Sequence, residues 1–320
     1  MTDKMQKAYE VHGWRWSELI SAVKDLSSRK VEAVRKVAKS APKSAEREVT
    51  LFVSDCHFGS VVDNREVPSE KYDYSVANAR MQTLIHELKS YKPHHRNETT
   101  CRLLFGGDLI ENRIHGPSNH ITALSEQIYF AMRQLTNLVH EALDSYGRVS
   151  VTTCVGNHDR WPDIRERALA QKYDSIATLC YLYVRDQFTG DPRVTVDIPR
   201  TPWTEWFTPG GGVGVLSHGD SFVNAGSVGK VINVGAIASQ IHRFNAKRER
   251  KAEVFAMGHL HRCTYATLDD GTSLIVNGAL IGSSPYAQSL GIVDSDPIQA
   301  LWESVPGHVV GDFRMVRVDK

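Results

Sequence analysis

Five short motifs rich in histidine and aspartate carry the side chains best able to do chemistry in this chain of 320 residues. In chain order they are Asp55-Cys56-His57, Gly107-Asp108, Gly156-Asn157-His158-Asp159, Ser217-His218-Gly219 and Gly258-His259-Leu260-His261. Oxygen and nitrogen ligands of this kind suit hard or borderline divalent metals, and the set contains no thiolate ligand. Two such ions held about 3.5–4 Å apart can clamp a phosphate ester and make a hydroxide between them. The motifs therefore predict a two-metal site for phosphate-ester chemistry.

Each motif directly follows an apolar run that we predict to be a β-strand. The predicted strands are 49–53, 103–105, 149–155, 213–216, 254–257, 274–276 and 309–318. Helical spacing of apolar residues predicts helices around 81–88 and 124–143. Open α/β sheets bind ligands along the carboxyl ends of their strands, so residues more than 200 positions apart are expected to converge there.

The ordered set D-x-H, G-D, G-N-H-D, H-G and G-H-x-H resembles the calcineurin-like metallophosphoesterase superfamily over residues 49–262. The resemblance implies an α/β fold, the metallophosphoesterase-type α-β-β-α sandwich. It also implies that one metal binds Asp55, His57, His261 and one oxygen of Asp108. The second metal would bind the remaining ligands together with the other oxygen of Asp108, and these ligands are Asn157, His218 and His259. Mn²⁺ is the expected ion, with Fe, Zn, Mg or Ni as alternatives.

The resemblance further implies how the ester is attacked and how the leaving group departs. A hydroxide activated by the two metals would attack phosphorus in line with the leaving oxygen. His158 would protonate the leaving group or hold a phosphoryl oxygen, and Asp159 would orient its imidazole. Glu111 is expected to support a ligand, whereas Cys56 is expected to pack in the core.

Three residues are candidates for contact with substrate. Arg160 could grip a phosphate bidentately, or it could pair with a surface carboxylate. His115 lies in the loop after Asp108 and is either a substrate contact or an exposed loop histidine. Arg243 begins a basic cluster that also contains Lys247, Arg248, Arg250 and Lys251 and is interrupted by Phe244. Such a cluster either binds nucleic acid or is a solvated helix face.

Residues 1–45 are predicted to form a basic helical extension, separate from a catalytic domain spanning 46–320. The first 50 residues contain 11 Lys or Arg and 7 Asp or Glu, although the whole chain carries a net charge of only +1. Two helical runs joined at Ser27-Ser28 predict either a helix-turn-helix or a helical hairpin with a solvated basic face. A helix-turn-helix followed by this catalytic core resembles either phosphoesterases of phage genomes or DNA-repair exonucleases.

These features favour a nuclease or other phosphodiesterase acting on DNA or RNA. A phosphomonoesterase or nucleotide pyrophosphatase is the main alternative, and a non-catalytic nucleic-acid-binding module is a minor one. The segment from Gly107 to Arg113 departs from the G-D-x-x-D-R-G pattern of Ser/Thr protein phosphatases, which disfavours that subfamily. A homo-oligomer or an ATPase partner cannot be assigned from the sequence.

Bulk composition indicates a globular protein of the cytoplasm without a membrane partner. The chain is 41% hydrophobic and 23% charged, and no apolar run reaches the roughly 18 residues that a membrane span needs. The first ten residues are polar and lack the apolar segment of an export signal. Five widely spaced cysteines without a CxxC pair favour a reducing compartment.

Overall fold

The computed structural model describes most of the predicted catalytic domain. The described residues are 47–68, 70–91, 99–114, 121–161, 172–222, 232–285, 288 and 296–319. The predicted extension, 1–45, and the candidate substrate residue His115 lie outside this described part, so both predictions remain untested.

Strands and helices alternate along the described chain as far as residue 197, as the apolar pattern predicts, and strands predominate after it. In chain order they are β1 (Glu48–Val53), α1 (Tyr74–Ser90), β2 (Thr100–Phe105), α2 (Leu124–Ser145), β3 (Arg148–Thr153), α3 (Ile176–Gln187), β4 (Val194–Asp197), β5 (Trp203–Phe207), β6 (Val213–Ser217), α4 (Val234–Asn245), β7 (Val254–Met257), β8 (Thr264–Thr267), β9 (Ser273–Val276), β10 (Ile298–Ser304) and β11 (Arg314–Arg317). Of the predicted strand 309–318, only the part that forms β11 is a strand in the structure. The predicted strand 149–155 ends two residues early, where the third motif begins.

The strands form two sheets. The first has the order β11-β10-β1-β2-β3-β4, with β1 to β4 parallel, and the second has the order β5-β6-β7-β9-β8. Val53 lies opposite Phe105, whose neighbour on the other side is Thr153, so β1, β2 and β3 end level with one another. In the second sheet β6 and β7 are also parallel, with Ser217 opposite Met257. Each motif therefore leaves its sheet at a carboxyl edge.

The two sheets pack face to face, and helices cover both outer surfaces. Side chains alternate along each strand, so that Phe52 contributes to the core between the sheets while Leu51 and Val53 join the core beneath the helices. α1, α2 and α3 pack on the first sheet and α4 packs on the second. The predicted α-β-β-α sandwich is thus confirmed.

Helix α2 buries a polar side chain near its N-terminal end. Its apolar face, including Phe130, Leu135 and Leu138, is buried against the first sheet. Gln127 in the first turn is also fully buried, although it is polar. Buried polar side chains are normally hydrogen-bonded, and Gln127 bonds the backbone of Asn112 and Thr122.

None of the helices in the described part of the chain combines the length and the apolar character needed to cross a membrane.

Candidate metal centre

The first donor cluster joins the beginning and the end of the motif series. Asp55, His57 and His261 each offer one ligand atom, and these atoms lie within 4.8 Å of one another. The Nε2 atoms of the two histidines are 3.2 Å apart, and Nε2 of His261 lies 3.4 Å from Oδ1 of Asp55. Two imidazole nitrogens that both lack a proton cannot hydrogen-bond to each other. Both can, however, bind one cation held between them. This is the predicted first metal site.

The second donor cluster lies on the other side of Asp108. Ligand atoms of Asp108, His218 and His259 also lie within 4.8 Å of one another, and all three residues are buried. Nε2 of His218 is 3.2 Å from Oδ2 of Asp108 and 3.1 Å from Oδ1 of Asn157. The structure therefore brings together all four predicted ligands of the second metal.

Asp108 lies between the two clusters. Its Oδ2 atom is 4.0 Å from Nε2 of His57 and 3.2 Å from Nε2 of His218. Its Oδ1 atom accepts a hydrogen bond of 2.7 Å from the backbone N–H of His158. The sequence-based assignment gave each metal its own oxygen of Asp108. The geometry instead turns one oxygen, Oδ2, toward both clusters.

Hydrogen bonds on the far side of the imidazole rings direct the correct nitrogen into the site. Nδ1 of His218 lies 2.8 Å from the carbonyl oxygen of Gly106, and because a carbonyl only accepts, this nitrogen carries the proton. Nδ1 of His57 lies 2.8 Å from Oε2 of Glu111, which confirms the expectation that Glu111 supports a ligand. Such outer partners fix the ring orientation of metal-binding histidines. The donor set therefore fits two divalent ions.

Burial and mutual charge set the protonation of these donors in the metal-free protein. Burial, together with neighbouring His218, lowers the pKa of His259 to about 4, so that its imidazole is neutral. Burial also opposes the charged form of His218, but the Asp108 carboxylate outweighs it and raises the pKa to about 10. Metals bind neutral imidazole. An ion in the second cluster would therefore replace the proton on Nε2 of His218, while Nδ1 keeps its proton.

Two glycines let the ligand loops touch. A Cβ atom on Gly107 would lie 2.3 Å from the backbone nitrogen of Gly156, and Gly107 also has a φ of +82°. A Cβ atom on Gly156 would lie 2.1 Å from Oδ1 of Asp108. A side chain at either position would push the second and third motifs apart and move the Asp108 carboxylate away from the cluster.

Left-handed backbone is concentrated at the ligands. The non-glycine residues with positive φ in the described chain are Asp55, His57, Asp108, Asn112, His259 and His261. Five of these six are predicted metal ligands. Such conformations cost on the order of 1–3 kcal/mol each and cluster at functional sites when the surrounding structure holds them.

The structure corrects the role expected for Asp159. Its carboxylate accepts hydrogen bonds from the backbone N–H groups of Asp108 (2.8 Å), Leu109 (2.9 Å) and Gly156 (2.8 Å). The Nδ1 atom of His158 instead lies 2.8 Å from the carbonyl oxygen of Glu111. Asp159 therefore clamps the second motif to the third and does not orient the imidazole. Burial and the nearby Asp108 charge raise the pKa of Asp159 to about 6.

Lys172 and Asp220 join two ligand loops, although no sequence motif marks either residue. Nζ of Lys172 is 2.8 Å from Oδ2 of Asp220 and 3.2 Å from the carbonyl oxygen of Val155. The lysine side chain is only 2% exposed. This pair holds the chain after His218 against the start of the third motif.

Of the predicted substrate contacts, Arg160 lies beside the metal centre and Arg243 does not. Arg160 is half-buried beside the site, and its Nη1 donates to the carbonyl oxygen of Asn157 over 3.3 Å. Arg243 is not brought to the site, because α4 leads away from the carboxyl edge of β6 toward the amino end of β7. Its neighbour Asn245 bonds Ala252 at that opposite edge. The predicted contact of Arg243 with a phosphate at the metal centre is therefore not supported.

Phe244 is part of the core of the second sheet. Its ring makes edge contacts with Trp203, Phe222 and Phe255. Arg248 stacks over the same ring and pairs with Glu205 at 2.5 Å. Phe244 is thus not a free platform for a nucleic-acid base.

Cys56 is fully buried in the core, as predicted.

No protein-family model matches the sequence, and no curated protein matches it. Several solved structures are distantly similar. A dimetal phosphatase from Danio rerio aligns with 9% identity and a TM-score of 0.41, covering 85% of this chain and 99% of that one. Vps29 from Chaetomium thermophilum aligns with 11% identity and a TM-score of 0.34, covering 79% of each chain. The phosphopantetheinyl hydrolase PptH from Mycobacterium tuberculosis aligns with 11% identity and a TM-score of 0.30, covering 73% of this chain and 91% of that one.

Proposed function

We propose that this protein is a metal-dependent phosphoesterase with a site for two divalent ions. One observation carries the proposal: two clusters of nitrogen and oxygen donors, buried except for the partly exposed His261, meet at a single carboxylate oxygen, Oδ2 of Asp108. When bound, the ions would supply Lewis acidity and a nucleophile at neutral pH. Mn²⁺ is the first candidate, and Fe, Zn, Mg or Ni are alternatives.

The protein's own residues would orient the ester and handle its proton. Both carboxylate oxygens of Asp55 are held by the backbone N–H of His259, at 3.0 and 3.1 Å. His158 would protonate the leaving oxygen through Nε2, because its Nδ1 faces the carbonyl of Glu111. Arg160, at the edge of the site, would bind a non-bridging phosphate oxygen.

We further propose that the ester is a phosphodiester of DNA or RNA. The excess of basic residues in the first 50 positions supports this substrate class. The basic segment around Arg250 is exposed at the far edge of the second sheet, so it would contact only flanking backbone.

A smaller substrate is the second candidate, either a phosphomonoester or a nucleotide pyrophosphate. One observation favours it: Arg243 and its basic neighbours lie away from the metal centre, which leaves Arg160 as the predicted cation beside it. The third hypothesis, a binding module without activity, is disfavoured by the complete donor set.

A substrate panel with Mn²⁺ separates these proposals. Aryl monoesters, aryl diesters, nucleoside diphosphates and end-labelled DNA and RNA would be incubated with purified protein, and an Asp108→Asn variant and a chelator serve as controls. Hydrolysis of aryl diesters and nucleic acid supports the first proposal, whereas hydrolysis of monoesters or pyrophosphates alone supports the second. Protein that neither binds metal, by calorimetry, nor cleaves any ester would contradict the phosphoesterase proposal.

A further inference from the structure

The peptide group between Glu111 and Asn112 is held at both of its ends. Its carbonyl oxygen lies 2.8 Å from Nδ1 of His158, and its N–H donates to Oε1 of Gln127 over 2.7 Å. The plane of this peptide therefore links the catalytic candidate His158 to the first turn of α2. Because a carbonyl oxygen only accepts, Nδ1 of His158 must carry a proton.

Asn112 fixes the same region a second time through its side chain. Its Nδ2 atom donates to the carbonyl oxygens of His158 and Arg160, both over 2.6 Å. Asn112 is 1% exposed and has a φ of +63°, a left-handed conformation that asparagine tolerates better than most residues. That φ sets the orientation of the peptide whose carbonyl meets the imidazole.

The amide of Gln127 has only one satisfactory orientation. Its Nε2 donates to the carbonyl oxygen of Thr122 over 2.9 Å while its Oε1 accepts from Asn112. A flipped amide would set two donors against each other and two acceptors against each other. A Cβ atom on Gly59 would lie 2.3 Å from Cγ of Gln127, so the glycine makes room for this side chain.

We propose that Asn112 and Gln127 are positioning residues for His158. They hold the Glu111 carbonyl against Nδ1, which directs Nε2 toward the reacting phosphate. The carboxylate of Glu111 bonds Nδ1 of His57, and it also lies within 4.8 Å of a ring nitrogen of His158, so the ring is oriented by the backbone carbonyl of a residue whose charged side chain is close by. This inference rests on the proposed function, in which the Nε2 proton passes to the leaving oxygen as the P–O bond breaks.

Leaving-group dependence gives the first test. Gln127→Leu removes the acceptor at similar volume, and Asn112→Gly removes the amide while allowing positive φ. An alkyl leaving group needs protonation, whereas p-nitrophenolate hardly does. With Mn²⁺ present, we expect kcat to fall about 10–100-fold for dinucleotides, whose leaving group is an alkoxide, and less than about 5-fold for bis-p-nitrophenyl phosphate. KM should change little.

Two comparisons distinguish positioning from general damage. His158→Ala should show the same leaving-group pattern, and adding Gln127→Leu to His158→Ala should cost little more, because residues acting through one group are not additive. Asn245→Ala is the matched control. Asn245 is a buried asparagine that bridges Ala252 at the far edge of the sheet, so its loss should lower stability without leaving-group selectivity.

The tautomer of His158 gives a second test that needs no activity. Nitrogen-15 NMR of the metal-free wild type, at a pH where the ring is neutral, should show His158 protonated at Nδ1, with the signal assigned by its loss in His158→Ala. Gln127→Leu should give a mixture of tautomers. A wild-type ring protonated at Nε2 overturns the inference, as does an active Gln127→Leu protein with unchanged leaving-group dependence. Absence of all hydrolysis, with Nδ1 still protonated, would overturn the proposed function instead.

Discussion

Replacing Asp159 tests whether this residue holds the ligand loops or serves the imidazole of His158. Its carboxylate is fully buried and accepts three backbone N–H groups, from Asp108, Leu109 and Gly156. Each buried N–H left without an acceptor costs about 1–3 kcal/mol. Asp159→Ala leaves all three N–H groups without an acceptor, and water entering the vacated space offsets part of this cost. We therefore expect the free energy of unfolding to fall by about 3–5 kcal/mol.

Asp159→Asn is the gentler version of the same change. Oδ2 accepts two of the three bonds, so an asparagine oxygen in that place keeps both and sets its NH₂ group against the N–H of Leu109. We expect a loss of about 1–3 kcal/mol. With a urea m-value of about 3 kcal/mol/M, the unfolding midpoint should fall by about 0.3–1 M. Mn²⁺ affinity should fall about 10–100-fold, because the clamp positions Asp108.

The assay is urea unfolding of the chelator-treated protein, followed by calorimetric titration with Mn²⁺. Asp191→Asn is the control: Asp191 is also largely buried and accepts the backbone N–H of Arg193, but it begins the turn before β4, at the end of the first sheet away from the metal centre. It should leave Mn²⁺ affinity unchanged. If Asp159→Asn kept the wild-type midpoint and metal affinity but lost turnover, our account of Asp159 would be wrong and the imidazole role would stand.

Three further predictions follow from the site and the sequence. Asp108→Ala should weaken both metal sites, since Oδ2 faces both clusters; a calorimetric titration that still showed one site of normal affinity would contradict the bridging position. Glu111→Gln should lower metal affinity about 10–100-fold at the cluster containing His57 and leave the cluster containing His218 near its wild-type affinity; equal losses at both would refute this. Deleting residues 1–45 should spare hydrolysis of small diesters but weaken nucleic-acid binding and flatten its salt dependence, and an unchanged salt slope in fluorescence anisotropy would remove the argument for a DNA-binding extension.

The strands and the ligands were predictable because their signals are local. Parallel strands buried on both faces appear as continuous apolar runs, and 254–257 was predicted to the residue. Strands β4 and β8 lie at sheet edges with only alternate residues partly buried, so their short alternating sequences gave no clear signal. The donor clusters followed from strand ends, since the carboxyl edge of a parallel sheet gathers distant loops.

Contacts that depend on the direction of a segment could not be predicted. Arg243 is 16 residues before His259, and this nearness in sequence suggested nearness to the site. The helix carrying Arg243 leads away from the metal edge, so the intervening strand β7 separates the two residues. The role of Gln127 depends on a peptide orientation set by the left-handed φ of Asn112, which neither residue type reveals by itself.

The left-handed residues explain why the same few residue types recur in these motifs. A metal ligand must have a donor side chain, so glycine cannot replace it where the loop turns through positive φ. Asp, Asn and His are the non-glycine residues enriched in that conformation, and they also carry oxygen or nitrogen donors. At Asp55, His57, Asp108, His259 and His261 one residue type therefore satisfies both the backbone and the metal. A branched aliphatic residue at any of these positions would have no donor atom for the metal. It would also raise the conformational energy of the backbone at positive φ.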